Sequence, residues 1–389
     1  MAHDFNEVIN RRGTNSVKYD FHEKYGKPTD AIPMWIADMD FRVPDVVKTV
    51  LVESAEHGIF GYTETKSDYF NAVAGWFQKI HGYHVKEEWM VKAPGVVFAM
   101  AMAIKAFTSP GDAVISQKPL YPPIEEIINA NKRVSINNPL KYSENRYTVD
   151  IDDFEQKIIR HNIKMFILCN PHNPVGRVWT KAELLEMGHI CKKHGVVVVS
   201  DEIHCDIVFE GHKHIAFPTV ADDFGDMSIV CTAPSKTFNL AGLQAANIFI
   251  SNPELREGFK REIVASGYAQ LNVMGLAACQ KAYEHGGEWY AELMTYLARN
   301  KAYVKNFLTK TPEVRFIELE GTYLGWLDMN AFGVRHDKLE ERLNRAGIWF
   351  SNGKAFGDAG AGFFRINLAC PLATLEMAME KLVKGLDLK

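Results

Sequence analysis

Residues 180–204 read TKAELLEMGHICKKHGVVVVSDEIH. Thr180 followed by Glu183 is a capping-box pattern, in which each side chain bonds the other residue's backbone amide at a helix start. The stretch Lys181–His194 therefore reads as a helix. Gly195 suits the left-handed conformation that ends one. The run Val196–Ser200 that follows reads as a buried strand. Working outward, apolar runs recur at Ala113–Ser116, Val134–Ile136, Met165–Cys169, Ile229–Thr232 and Ala246–Ile250, and helical stretches separate several of them. Such alternation implies a parallel or mostly parallel sheet with helices on both faces. Ligands of these sheets bind beyond the carboxyl ends of the strands. The residues just after each run are therefore the ones to read for chemistry.

Further along, Trp289, Leu293, Tyr296, Leu297 and Phe307 give Glu288–Leu308 near-helical spacing. Arg315–Leu319, Thr322–Met329 and Phe363–Leu368 read as strands and Asp337–Arg345 as a helix, a smaller α+β unit. The turn-rich first 48 residues are expected to pack against it. A chain of 389 residues suggests about two units at roughly 100–200 residues each. Hydrophobic residues make up 47% and charged residues 24%, enough for a large core without a disulfide or metal staple. A net charge of −4 with no basic run speaks against a nucleic-acid partner. The longest apolar stretch, Val96–Ile104, is too short to span a bilayer. The first residues lack the pattern of a signal peptide. The six cysteines are scattered, with no Cys-x-x-Cys, and read as buried free thiols of a reducing compartment. A cytoplasmic protein with no membrane partner is the expectation.

At the strand ends, the two prolines and the glycine of Asn170–Gly176 fix a loop that holds Asn173 over the sheet edge. Its amide can donate to a phenolate or carbonyl oxygen. After Val196–Ser200 comes Asp201, a carboxylate that is costly to bury unless it meets a cation or donors. His204, Asp206, His212 and His214 are close in sequence but lack standard ligand spacing, so no metal is expected. Lys236 lies between the strand Ser228–Thr232 and Phe238. Burial there lowers an amine's pKa and makes it nucleophilic. Pro94-Gly95 precedes a helix start, whose free backbone amides suit a phosphate. Tyr121 adds a ring that can stack. Each segment alone has an ordinary structural explanation. Together they match one cofactor, pyridoxal 5′-phosphate, with its phosphate, flat ring, phenolic oxygen, ring nitrogen and lysine-reactive aldehyde.

Over nearly its whole length the chain resembles the aspartate aminotransferase-like fold of pyridoxal-phosphate enzymes. Within it, the chain is similar to the cystathionine β-lyase, or C–S lyase, branch. The segments that point to the branch are PMWIADMDF (33–41), FGYT (60–63), DEIH (201–204) and SKTFNLAG (235–242). The resemblance implies an α/β fold. A mostly parallel seven-stranded sheet covered by helices forms a large cofactor-binding domain, 49–288. A smaller α+β domain comes from both chain ends, 1–48 and 289–389. It also implies roles. Lys236 is the Schiff-base lysine, Asp201 the partner of the ring nitrogen, Asn173 the donor to the phenolic oxygen and Tyr121 the stacking ring. The amides of Val96 and Val97, with Ser235, bind the phosphate. Arg365, in FFRIN (363–367), grips the substrate carboxylate, with Ala37 and Asn173 beside the substrate. Tyr62 reaches into the neighbouring subunit's site, making the active unit a homodimer with shared sites. Three residues and one turn depart from the common pattern. His204 stands for a tyrosine near the phenolic oxygen, Gln244 for an arginine and Ala233 for a serine, with Thr232 or Tyr62 left to compensate at the phosphate. Ser351-Asn352-Gly353 replaces a proline-glycine turn. The activity implied is α,β-elimination from a cysteine thioether to thiol, pyruvate and ammonia. The alternative is an aminotransferase, which shares every residue named.

Overall fold

The computed structural model describes residues 3–387; residues 1–2 and 388–389, the outermost of the two terminal segments, lie outside the described residues. Seven strands form the central sheet: β1 (Met90–Ala93), β2 (Ala113–Ser116), β3 (Val134–Asn137), β4 (Met165–Cys169), β5 (Val197–Asp201), β6 (Ser228–Thr232) and β7 (Ala246–Phe249). Their order is β1-β7-β6-β5-β4-β2-β3. Strands β2 to β6 pair in parallel, and β7 runs antiparallel to both β6 and β1. The expected mostly parallel seven-stranded sheet is the one that forms. Six of its strands coincide with the apolar runs. The seventh, β1, lies at an edge, and its burial alternates, with Val91 and Ala93 buried and Met90 and Lys92 half-buried. An edge strand that meets water reads as alternation rather than as a continuous run.

Successive residues of the inner strands serve opposite cores. Val199, Ile167 and Val114 face a cluster with Met100, Ala103, Phe259 and Ile263. Val198, Phe166, Leu168 and Ile115 face one with Phe154, Leu184, Met187 and Cys191. Each fully buried aliphatic or aromatic side chain contributes about 1.5–3 kcal/mol, so both layers are strongly held. Helix α1 (Val96–Phe107) covers the first face and α3 (Lys181–Lys193) the second, while α2 (Pro122–Ala130) follows β2. Both bonds of the capping box at Thr180 and Glu183 are present, and Gly195 has φ +65°.

A long helix, α4 (Gly287–Leu308), leads into a second sheet. This sheet comprises β8 (Arg315–Phe316), β9 (Leu324–Asp328), β10 (Ser351–Asn352) and β11 (Phe363–Asn367), all antiparallel, in the order β8-β9-β11-β10. The strand expected at Arg315–Leu319 is cut short because the chain turns away. The amides of Glu320 and Gly321 both bond to the carbonyl of Gly176, 2.9 Å away, instead of to the ladder. The first 48 residues are mostly turns. Ile32–Pro33 pairs in parallel with Ile348–Trp349, and the Asn367 amide donates to Met34, which threads residues 34–40 along β11.

Gly188 tests the packing of α3. A Cβ there would overlap the fully buried ring of Phe224. Gly188→Ala should lower unfolding free energy by ~1–3 kcal/mol through overpacking, measured as a reduced urea midpoint. An unchanged midpoint would show that the contact is looser than described.

Candidate active site

Register places the site. Cys169 pairs with Asp201, and Asp201 with Cys231, so β4, β5 and β6 end level with one another. The loops that leave them carry Asn173, His204, Ser235 and Lys236 to one side of the sheet. The N-terminus of α1 arrives beside them after β1, and Tyr121 caps the start of α2. These elements enclose a cavity of about 400 Å³ whose lining includes Ala37, Val96, Val97, Tyr121, Asn173, Asp201, His204, Ser235 and Lys236. Two expected site residues lie outside that lining. Arg365 is next door, buried on β11, where its Nη1 donates to Asn173 Oδ1 at 2.9 Å. Tyr62 is fully exposed on the surface.

Asp201 is buried, and the amide of Ile203 donates to its Oδ1 at 3.3 Å. Burial pushes this carboxyl up to about 7; that amide and the Lys236 charge pull the other way. Lys236 Nζ donates to the Ala37 carbonyl at 2.7 Å. Burial brings the amine down to about 8, with Arg365 adding to the effect and Asp38 and Asp201 opposing it. His204 is buried with its Nδ1 unpartnered, and burial together with Lys236 and Arg365 holds it well below the usual histidine range. Arg365 Nη2 donates to the Trp35 carbonyl at 2.7 Å and to Ser351 Oγ at 3.2 Å, while its Nε is buried without a partner. Burial lowers Arg365 to about 10.

These groups fit pyridoxal phosphate. A buried carboxyl with no ion-pair partner among the described residues complements a protonated ring nitrogen. The Oδ1 of Asn173 is taken by Arg365, so its NH₂ is the part left to donate to an oxygen. Helix α1 starts at Gly95 with no side-chain cap, so its first amides are open to an anion. Gln244 and Ala233 line the cavity without bringing charge, and Lys236 is the one cationic side chain in the lining among the described residues. Thr232 is not in that lining; its hydroxyl donates to the Asn247 carbonyl at 2.6 Å.

Behind the site, buried Arg177 holds the Asn173 loop. Its Nε reaches Glu320 at 2.9 Å and its Nη2 reaches Glu183 at 2.9 Å. Of the neighbouring titratable groups, His212 is exposed, and His214 lies 2.9 Å from Glu202. Asp206 groups instead with His81 and Cys205. Its carboxylate accepts from Trp76 Nε1 at 3.0 Å and Thr237 Oγ1 at 2.6 Å, and lies 2.7 Å from His81 Nε2. That is a saturated hydrogen-bond hub beneath the lysine loop. Two contributors escape the sequence reading. Tyr323 donates its hydroxyl to Ala37 O at 2.9 Å, beside the Lys236 amine. Ser351 bonds both Arg365 and the Trp35 carbonyl. Ser351 lies in the turn that departs from the common pattern, which was its one signal; nothing local marks Tyr323.

Residues 30–382 match a family described as aminotransferase class I and II. The chain is 42% identical over 386 residues to cystathionine beta-lyase PatB of Bacillus subtilis (strain 168), covering 99% of this chain and 100% of that one. Among solved structures, cystalysin from Treponema denticola, which contains a pyridoxal 5′-phosphate cofactor, aligns with a TM-score of 0.96. It is 35% identical, over 100% of this chain and 99% of that one. The PLP-bound C-S lyase from Staphylococcus hominis aligns at 0.92, with 32% identity over 99% and 98% of the two chains.

The amine of Lys236 gives a direct check on this electrostatics. In cofactor-free protein, its acylation by acetic anhydride should rise with a midpoint near pH 8, because burial disfavours the charged form. A midpoint near the ordinary lysine value of 10.5 would contradict the environment described.

Proposed function

The chain belongs to the class I and II aminotransferase family, and from that premise we propose that it is a pyridoxal-phosphate-dependent carbon–sulfur lyase that converts cysteine thioethers to a thiol, pyruvate and ammonia. The observation that carries the proposal is the convergence, in one cavity, of the buried Asp201 carboxyl with the Lys236 amine and the open start of α1. The choice of elimination is supported by full-length likeness to a protein named cystathionine beta-lyase. When bound, the cofactor supplies an aldehyde that captures amines and a ring that withdraws electrons from Cα.

The chain's own residues do the rest. Arg365 grips the substrate carboxylate, a fork that fixes orientation as well as adding affinity. That grip is already braced by Asn173, Ser351 and the Trp35 carbonyl. Lys236 takes the Cα proton on Nζ. An amine brought down to about 8 is neutral in a minority of molecules near physiological pH, but in a far larger share than an ordinary lysine, which suits that task. Ala37 O, fixed by Tyr323, holds the resulting ammonium. With the cofactor bound, Asp201 would keep a proton on its ring nitrogen, and Asn173 and His204 would serve its phenolic oxygen. Tyr121 would stack on its ring, and Val96, Val97 and Ser235 would hold its phosphate. Departure of a thiolate from Cβ needs no second substrate, because sulfur carries the negative charge well.

The same reading gives 49–288 the cofactor and assigns 1–48 with 289–389 to the smaller domain. It also makes the protein a cytoplasmic homodimer. Tyr62 is fully exposed, and Ile59 and Phe60 beside it are 71% and 59% exposed, an apolar segment suited to cover by a second copy. Among the described residues, all six cysteines are buried free thiols, in keeping with a reducing compartment. No described helix is long and apolar enough to cross a membrane.

Purified holoenzyme should release thiol and pyruvate in equal amounts from S-methyl-L-cysteine or L-cystathionine with no keto acid added. Lys236→Ala should abolish this release, because nucleophile and proton carrier are one group. Thiol release that requires a keto acid would favour transamination instead. For the shared site, mixing inactive Lys236→Ala chains with inactive Tyr62→Ala chains should restore activity, because each heterodimer regains one complete site. If heterodimers form and stay inactive, Tyr62 does not act across the boundary.

A further inference from the structure

A second cavity of about 360 Å³ adjoins the first. Tyr121 lines both, and Arg365 lines the second. Its walls are aromatic. Trp35 stacks on Trp349 with centroids 4.4 Å apart and planes 14° apart, and Tyr25 meets Trp35 edge-on at 4.8 Å. Pro122 and Phe356 add further apolar surface. The charged groups present are already spoken for. Lys27 Nζ bonds Glu340 at 2.7 Å and Asn344 at 3.0 Å, and the other Glu340 oxygen accepts from Asn352 at 2.7 Å.

An amino-acid substrate with its carboxylate on Arg365 and its Cα at Lys236 has one part left to place, the group on Cβ. We propose that the aromatic cavity is the subsite for the sulfur substituent, and that the enzyme selects cysteine thioethers whose substituent is bulky and apolar, aryl or long alkyl. This rests on the lyase reading and extends it to substrate class. A substituent that is itself a zwitterion, such as the distal half of cystathionine, would have to part Lys27 from Glu340 to be solvated. A phenyl ring only displaces water from tryptophan, tyrosine and proline faces, a favourable exchange.

Holoenzyme assayed for thiol release should give kcat/KM for S-benzyl-L-cysteine at least ~10-fold above both S-methyl-L-cysteine and L-cystathionine, the scale on which an apolar pocket discriminates. Tyr25→Ala removes the rim at a residue that is 42% exposed, and so leaves the core intact. Trp349→Leu alters the inner wall. Each should lower the S-benzyl to S-methyl ratio of kcat/KM several-fold, and melting curves verify that the variants are folded. Calorimetric titration of cofactor-loaded Lys236→Ala protein should rank the three thioethers in the same order without turnover. A preference for cystathionine over S-benzyl-L-cysteine, or a ratio unmoved in the folded Tyr25→Ala protein, overturns the subsite and leaves the lyase reading standing. Absence of thiol from all three thioethers overturns the lyase reading and the subsite with it.

Discussion

Asp201 ends a strand packed on both faces, level with Cys169 and Cys231, with one long backbone hydrogen bond to its carboxylate. An ionised carboxylate in such a place is several kcal/mol out of balance unless a cation or further donors arrive. The rest of the site is arranged around that imbalance. The strand register fixes the height at which the carboxyl sits, so the loops from β4 and β6 bring Asn173 and Lys236 to the same level. The mixed pairing of β7 lets β1 lie parallel to β6 at the sheet edge, and β1 feeds the open start of α1 into the same cavity. The carboxyl, raised to about 7, and the amine, lowered to about 8, are perturbed in opposite directions by one cause, exclusion from water. An acid and a base tuned towards neutrality in one cleft are what proton-transfer chemistry requires.

Much of this was legible in order of local strength. The inner strands announced themselves because burial on both faces leaves no polar alternation, as with Val196–Ser200. The α3 helix did so through Thr180, Glu183 and Gly195, whose roles depend on neighbours a few residues away. Residues at strand ends could be read for chemistry because topology confines ligands there. What escaped depends on long-range geometry. Strand β1 reveals itself only through its antiparallel partner β7, more than 150 residues later. The early end of β8 follows from the pull of the Gly176 carbonyl, and Glu320 meets Arg177 across 143 positions. Tyr323 matters only because Ala37, 286 positions away, turns its carbonyl towards it. The turn at Ser351-Asn352-Gly353, a mere departure in the sequence, gains a reason: Ser351 braces Arg365, and a Cβ on Gly353 would overlap the backbone of Gly360 and Phe363.

The positions that depart from the common pattern also shift the electrostatic character of the cavity. With Gln244 and Ala233 in the lining, the pull on an anion at the start of α1 would rest on backbone amides and the helix dipole rather than on a guanidinium. The strongest fixed cation beside the cavity is then Arg365, and its own contacts are neutral oxygens from Asn173, Trp35 and Ser351. Among the described residues no carboxylate pairs with it, so its charge remains available for an incoming one.

Residues 35–38 are latched by groups far down the chain. Arg365 and Ser351 bond the Trp35 carbonyl, Asn367 bonds those of Ile36 and Asp38, and Tyr323 and Lys236 bond that of Ala37. This has a consequence for biosynthesis. Residues 35–38 are among the last to find their place, since Tyr323, Ser351, Arg365 and Asn367 emerge from the ribosome hundreds of residues after them. A nascent chain can assemble the central sheet, with Asp201 and Lys236 upon it, while residues 35–38 still lack these partners. The cavity is complete only after translation has passed residue 367, so a prematurely terminated chain carries Asp201 and Lys236 on the sheet but lacks the Arg365 and Asn367 that latch residues 35–38 beside them.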